Sequence, residues 1–170
     1  MKAIRTVSAL LLCLLLCAAG GCTESERTDY SELNRRLKRE NEAYGFCEEE
    51  LLYNEGVYYA VTALPPGKKV LLTMREDEEG RLDQITVTAS GEDVPDGFAE
   101  VCTDYCAAVV RAFVPSGDDV PLAAAVGGYT HILYTECVRR ERSGMYTMEL
   151  FSDPVGISLL ITRSWDASAE

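Results

Sequence analysis

Seven cysteines and one histidine are the residues of this chain best suited to covalent or metal chemistry. Cys13, Cys17 and Cys22 fall within the first 22 residues, and Cys47, Cys102, Cys106 and Cys137 remain in the body of the chain. An even set of four is compatible with two disulfides in an exported domain, with all three connectivities open. Closing a loop as long as Cys47 to Cys102 contributes about 3–4 kcal/mol when the bridge is unstrained. Buried thiols are the alternative, because a cysteine on an apolar helix face packs as a small hydrophobe. A third chemistry is zinc binding. Cys102 and Cys106, one helical turn apart, offer two thiolates that Cys47, Cys137 or His131 could complete into a tetrahedron. That spacing lacks the paired short knuckles of structural zinc sites. A Cys–His nucleophile through His131 is weaker still, because nothing brings a thiol to the imidazole or lowers its pKa. The plain reading of His131 is a polar residue near the start of a strand.

Other chemistries are bounded by composition. Asp plus Glu number 28 against 16 Lys plus Arg, a formal net charge of −12. That balance disfavours nucleic acid, where affinity comes from cations neutralising phosphates. The acidic run Glu76 to Glu79 lacks the alternating ligand pattern of a calcium loop and reads as a solvated hairpin turn. A phosphate loop, a dinucleotide fingerprint and a hydrolase elbow are all missing from the sequence, so no catalytic residue and no cofactor is assigned. Nine tyrosines are ample for a binding surface. Tyr58 and Tyr59 must point to opposite sides of a strand, which puts one in the core and frees the other for a cleft or interface.

The first 22 residues give the chain an address. Lys2 and Arg5 precede an apolar stretch from Val7 to Ala19, which at about 13 residues is short for roughly 30 Å of hydrocarbon. Ala18, Ala19, Gly20 and Gly21 then lead into Cys22. This small-residue run ending in cysteine resembles the lipobox of bacterial lipoproteins, in which the thiol takes a diacylglycerol and becomes the new N-terminus. Ala19 stands where that pattern usually has leucine, and Ala19-Gly20-Gly21 also suits ordinary signal cleavage at the same bond. The resemblance implies a signal peptide over residues 1–21, lipidation at Cys22, a polar tether over 22–28 and a domain over 29–170. It implies anchoring to a cell membrane at its extracytoplasmic face. Losing Lys2 and Arg5 leaves 14 basic and 28 acidic residues, a net charge near −14. Anionic lipid head groups repel such a domain, so it should stand off the bilayer.

The elements that position these residues follow from periodicity. Asp29 and Glu32 make a capping-box-like start for a helix to about Tyr44, which lies over the domain edge with Tyr30, Leu33 and Leu37 as its one packed stripe and the rest of its surface solvated. Val57–Leu64, Lys69–Arg75 and Arg81–Ala89 read as strands of an antiparallel meander, the first two joined by a Pro65-Pro66-Gly67 turn of type II. From Pro95 to Val114 apolar residues recur every three or four positions, with Cys102 inside the stripe and Cys106 on its flank. Asp118 to Val126 adds a short helix capped by Asp118 or Asp119. His131–Arg142, Met145–Phe151 and Val155–Arg163 complete the strands, and Trp165 follows the last of them.

The expected fold is therefore α+β: a two-layer sandwich of five to six antiparallel strands under one main amphipathic helix, with an additional N-terminal helix. The expected function is a membrane-anchored, non-enzymatic binding or protein-interaction module, whose partner is an envelope protein or a small ligand. The alternative is a small metal-binding protein or enzyme built on Cys47, Cys102, Cys106, Cys137 and His131. A third reading makes it an accessory subunit that docks through an exposed Tyr30–Leu33–Leu37 strip.

Overall fold

A computed structural model describes residues 28–90 and 94–164. The signal segment, Cys22, most of the tether and Trp165 lie outside the described residues. The chain runs through α1 (Tyr30–Glu40), β1 (Leu52–Asn54), β2 (Val57–Leu64), β3 (Lys68–Glu76) and β4 (Leu82–Ser90). It continues through α2 (Phe98–Phe113), α3 (Asp119–Gly127), β5 (Cys137–Ser143), β6 (Tyr146–Asp153) and β7 (Gly156–Arg163). The class is α+β, as expected. The sheet has seven strands in the order β1-β2-β3-β4-β7-β6-β5, not five or six. The unexpected strand is β1, whose three residues carry too little pattern to be read from sequence.

Two antiparallel meanders build the sheet, and they meet where β4 pairs with β7. Alternation decides which residues face the helices. Ala60, Thr62 and Leu64 on β2, Val70, Leu72 and Met74 on β3, and Ile85, Val87 and Ala89 on β4 are buried. Ile157, Leu159 and Ile161 on β7 and Tyr146, Met148 and Leu150 on β6 continue the same layer. Against it lies α2, where Phe98, Cys102, Tyr105, Cys106, Val109, Val110 and Phe113 are buried. The Phe113 and Tyr146 rings meet edge to face at 5.6 Å.

The first helix packs one edge against the domain, as its narrow apolar stripe predicts, and keeps most of its remaining surface in solvent. Leu33 and Leu37 are 0% exposed, and Tyr30 packs its ring 4.7 Å from that of Tyr58. The strip is covered within the chain, so the docking-subunit reading loses its support. Two leucines buried this way contribute about 1.5–3 kcal/mol each. Asp29 caps the helix as expected, accepting the Glu32 N–H at 2.8 Å. The Glu32 carboxylate, however, turns to Arg35 and Arg36 instead of closing a capping box. Those guanidiniums hold it below the usual glutamate range. The α-helix stops at Glu40 and a 3-10 turn carries the chain on to Tyr44.

Asn34, read as part of the solvated face, is also fully buried. Its amide bonds both main-chain groups of Phe46, at 2.9 and 3.0 Å, and the Glu48 carboxylate at 2.8 Å. Burial of a polar side chain is tolerated here because every one of these groups is paired. Arg36 donates to the Ala112 carbonyl at 3.2 Å near the C-terminus of α2, where a cation complements the helix dipole.

Three local expectations need correction. The Pro65–Pro66 peptide is cis, giving a type VI turn closed by Gly67 N–H to Leu64 O, in place of type II. Asp118 stands at the N-cap of α3, but its side chain makes no capping hydrogen bond. The Asp118 carboxylate instead accepts the Ser143 hydroxyl at 3.3 Å, and a Cβ at Gly144 would lie 2.3 Å from that carboxylate. Gly144 also has φ +53°, a left-handed backbone that favours glycine. Finally, residues 130–132 form a 3-10 turn, and the strand expected from His131 begins only at Cys137.

Leu37→Ala should cost about 2–5 kcal/mol of unfolding free energy. Asn34→Ala should cost about 1–3 kcal/mol by orphaning the Phe46 main chain. Urea denaturation followed by circular dichroism measures both, with Glu42→Ala, on the exposed turn, as a neutral reference.

Candidate functional site

All four cysteines of the domain stand as free thiols. Cys47 is exposed on the turn after α1 and donates to the Glu49 carboxylate at 3.0 Å, which raises its pKa. Cys137 opens β5, half-buried, with its Sγ 3.8 Å from the Ile132 carbonyl. Gly45, two residues before Cys47, accepts the Thr62 hydroxyl from β2. Five interstrand spacings separate β2 from β5, about 24 Å at roughly 4.8 Å each. Cys47 and Cys137 thus belong to opposite sides of the sheet, beyond the reach of a disulfide or a shared metal. His131 is exposed on its 3-10 turn. Among the described residues no group of three or more His, Cys, Asp and Glu side chains converges to hold a metal ion.

Cys102 and Cys106 do come together. Both are buried on α2, Cys106 included, because α3 and the turn after it cover the flank that sequence placed at the edge of the stripe. The Cys102 thiol and burial raise the Cys106 pKa well above its ordinary value. A thiol so disfavoured from ionising is a poor nucleophile at neutral pH. Tyr105 and Tyr134 lie against the same pair, and burial pushes both phenols up. Their hydroxyls are buried without a well-formed hydrogen bond among the described residues, although that of Thr62 faces Tyr105. Tyr134 takes a left-handed backbone (φ +62°), and its N–H donates to the Ser152 hydroxyl at 2.8 Å. Next to Cys106 a cavity of about 10 Å³ is lined by Val126, Tyr129, Leu133, Leu150 and Leu159. It is apolar and about the size of one water, so this region is a packed core.

The opposite face of the sheet is different. Its residues are exposed or half-buried from β2 to β5. Strand register aligns Val61, Leu71, Thr88, Ser158, Phe151 and Val138 in one continuous cross-strand row. Its ends are apolar and exposed: Val61 52% and Leu71 38% at one side, Phe151 44% and Val138 60% at the other. Hydroxyl side chains fill the middle. The neighbouring row runs Tyr59, Thr73, Thr86, Leu160, Glu149 and Arg140. Tyr58 is thus the core tyrosine of its pair, packed between Tyr30 and Tyr53, and Tyr59 faces outward. At the β5 side the face deepens into an open hollow of about 720 Å³. Thr88, Ser90, Val138, Phe151, Val155 and Ser158 are among its walls.

This surface combines apolar patches that exclude water with hydroxyls able to donate or accept. Sequence reasoning did not find it. Alternation gives two faces to each strand, but which outward residues become neighbours depends on strand order. No family model matches the chain, and no curated protein or solved structure does.

Native alkylation tests the cysteine placement. Iodoacetamide should modify the accessible Cys47 and Cys137 in the folded protein, and should reach Cys102 and Cys106 only after denaturation, as read by peptide mass mapping. Labelling of the α2 pair in the folded protein would overturn it.

Proposed function

We propose that this chain is a lipid-anchored, extracytoplasmic interaction module that binds another macromolecule through the outer face of its sheet. The cross-strand row from Val61 to Val138 carries the reading, because it puts exposed apolar side chains at both flanks of a seven-stranded face. Isolated exposed apolar residues are ordinary on any surface, whereas aligned ones rimmed by polar groups suit a binding site. The lipid anchor rests on the small-residue run into Cys22, and the two-layer arrangement on the single face that the buried residues share.

Attachment has a directional consequence. The Thr28 carbonyl accepts the Leu82 N–H at the start of β4, at 3.1 Å. Six residue-to-residue steps lead from Cys22 to Thr28, at most about 20 Å when extended. An anchor at Cys22 would thus join the described chain at the end of the sheet where β4 begins. Strand β4 is nine residues long, about 30 Å. The hollow sits at its far end, beside Ser90 and Gly156.

Two experiments check this. A clickable palmitate analogue should label the wild-type chain in cells and fail to label Cys22→Ser. A photo-crosslinking residue at position 151 or 71 should give discrete adducts, and one at position 42, on the helix side, should not. Adducts no stronger at the sheet face than at position 42 would sink the interaction reading.

A further inference from the structure

Strand β5 is the lateral edge of the sheet, and among the described residues no strand pairs with its outer side. An unpaired edge presents main-chain N–H and C=O groups that another chain can complete. Charge separates this edge from the rest of the molecule. The exported part is strongly acidic, yet within the seven residues Cys137–Ser143 stand Arg139, Arg140 and Arg142 against Glu141 alone. Glu141 is already engaged, accepting the Tyr129 hydroxyl at 3.2 Å. Arg140 bonds Glu149 at 3.0 Å while remaining 72% exposed. Arg139 donates only to its neighbour's carbonyl, on Val138, and Arg142 meets no carboxylate among the described residues. By contrast, Arg75, Arg81 and Arg111 each lie against an acidic side chain.

Resting on the interaction-module reading and deepening it, we infer that the β5 edge takes up an extended acidic segment of a partner protein as an eighth strand. Alternation fixes the chemistry of that segment. Val138, Arg140 and Arg142 point to the outer face, where β6 sets Phe151, Glu149 and Thr147 beside them. A residue paired with Val138 extends the apolar row and enters the hollow, so it is apolar. Residues paired with Arg140 and Arg142 are acidic. In antiparallel register the segment reads acidic–x–acidic–x–apolar.

Competing occupants fit less well. Nucleic acid and lipid head groups supply negative charge but no main-chain ladder at about 4.8 Å spacing. Two copies of β5 bring together strands that each carry net positive charge, which opposes self-pairing. Charge at an edge also discourages unwanted pairing, and this edge does so selectively: it rejects basic and like strands and accepts an acidic one.

The test uses the full lipidated chain in neutral detergent micelles. The probe is the fluorescein-labelled peptide Thr-Glu-Thr-Glu-Thr-Val-Thr at low salt, followed by anisotropy. Replacing both glutamates of the probe by lysine should weaken binding about tenfold or more, and N-methylating alternate main-chain nitrogens on its pairing edge should do the same. The Arg140→Glu/Arg142→Glu chain should lose the acidic peptide and gain the lysine peptide, with an unchanged melting curve showing that it folds. That swap separates edge recognition from general loss of structure.

Equal affinity for the two peptides, or tight binding of the N-methylated one, overturns the inference. So does stronger association with anionic vesicles than with the peptide. A dimer in sedimentation that the double substitution dissolves overturns it too, assigning the edge to a second copy. Adducts at position 151 combined with indifferent peptide binding would remove the edge site and leave the interaction module standing.

Discussion

The pairing of β4 with β7 is the contact on which the rest of this molecule depends. It sets Ile85 opposite Ile161, Val87 opposite Leu159 and Ala89 opposite Ile157. All six of these side chains are buried. Each meander alone would offer α2 only half a platform. Joined, they give that helix a continuous apolar floor, wide enough to bury its stripe from Phe98 to Phe113. A slip of one residue at this seam would turn every apolar side chain of one half toward water, so burial itself specifies the register.

From that floor the other layers follow. Because α2 is covered below by the sheet and at its side by α3, its cysteines become core residues and not reagents. Because α1 lies against α2, its two leucines are sealed, and Asn34 is drawn inside with them. The Asn34 amide then fixes Phe46 and Glu48, so one buried polar group orders a turn that has little apolar content of its own. The ion pair of Arg111 with Glu40, at 2.7 Å, spans the same helix junction at the surface. Exposed as it is, it adds little stability and mainly aligns the helices.

Placing all helices against one face leaves the other to water. An antiparallel sheet tolerates this when its outward residues are polar, and the centre of the face, with Thr73, Thr86, Thr88 and Ser158, obeys that rule. Its flanks do not. The apolar ends of the row and the arginine-rich edge strand both carry a cost in solubility or repulsion that the fold does not need. Surface features without a folding role are where binding is reasonably sought. The buried thiols, by comparison, are explained by packing alone.

How much of this was written in the sequence depends on the range of the interaction. Strands β2, β3, β4, β6 and β7 and helix α2 were legible almost to the residue, because a two- or 3.6-residue period reports directly which side chains share a face. The reading of residues 1–22 as an export signal with a lipobox-like run into Cys22 likewise rests on adjacent residues, and it lies outside the described residues. His131–Arg142 misled because an exposed edge strand has no apolar alternation to mark its start, and a 3-10 turn can precede it unseen. The separation of Cys47 from Cys137 and the row from Val61 to Val138 were not legible at all. Each depends on β7 returning to lie beside β4, a contact between residues some seventy positions apart. No local period encodes such a neighbour. It is set by which apolar faces can be buried together, and only the folded chain decides that.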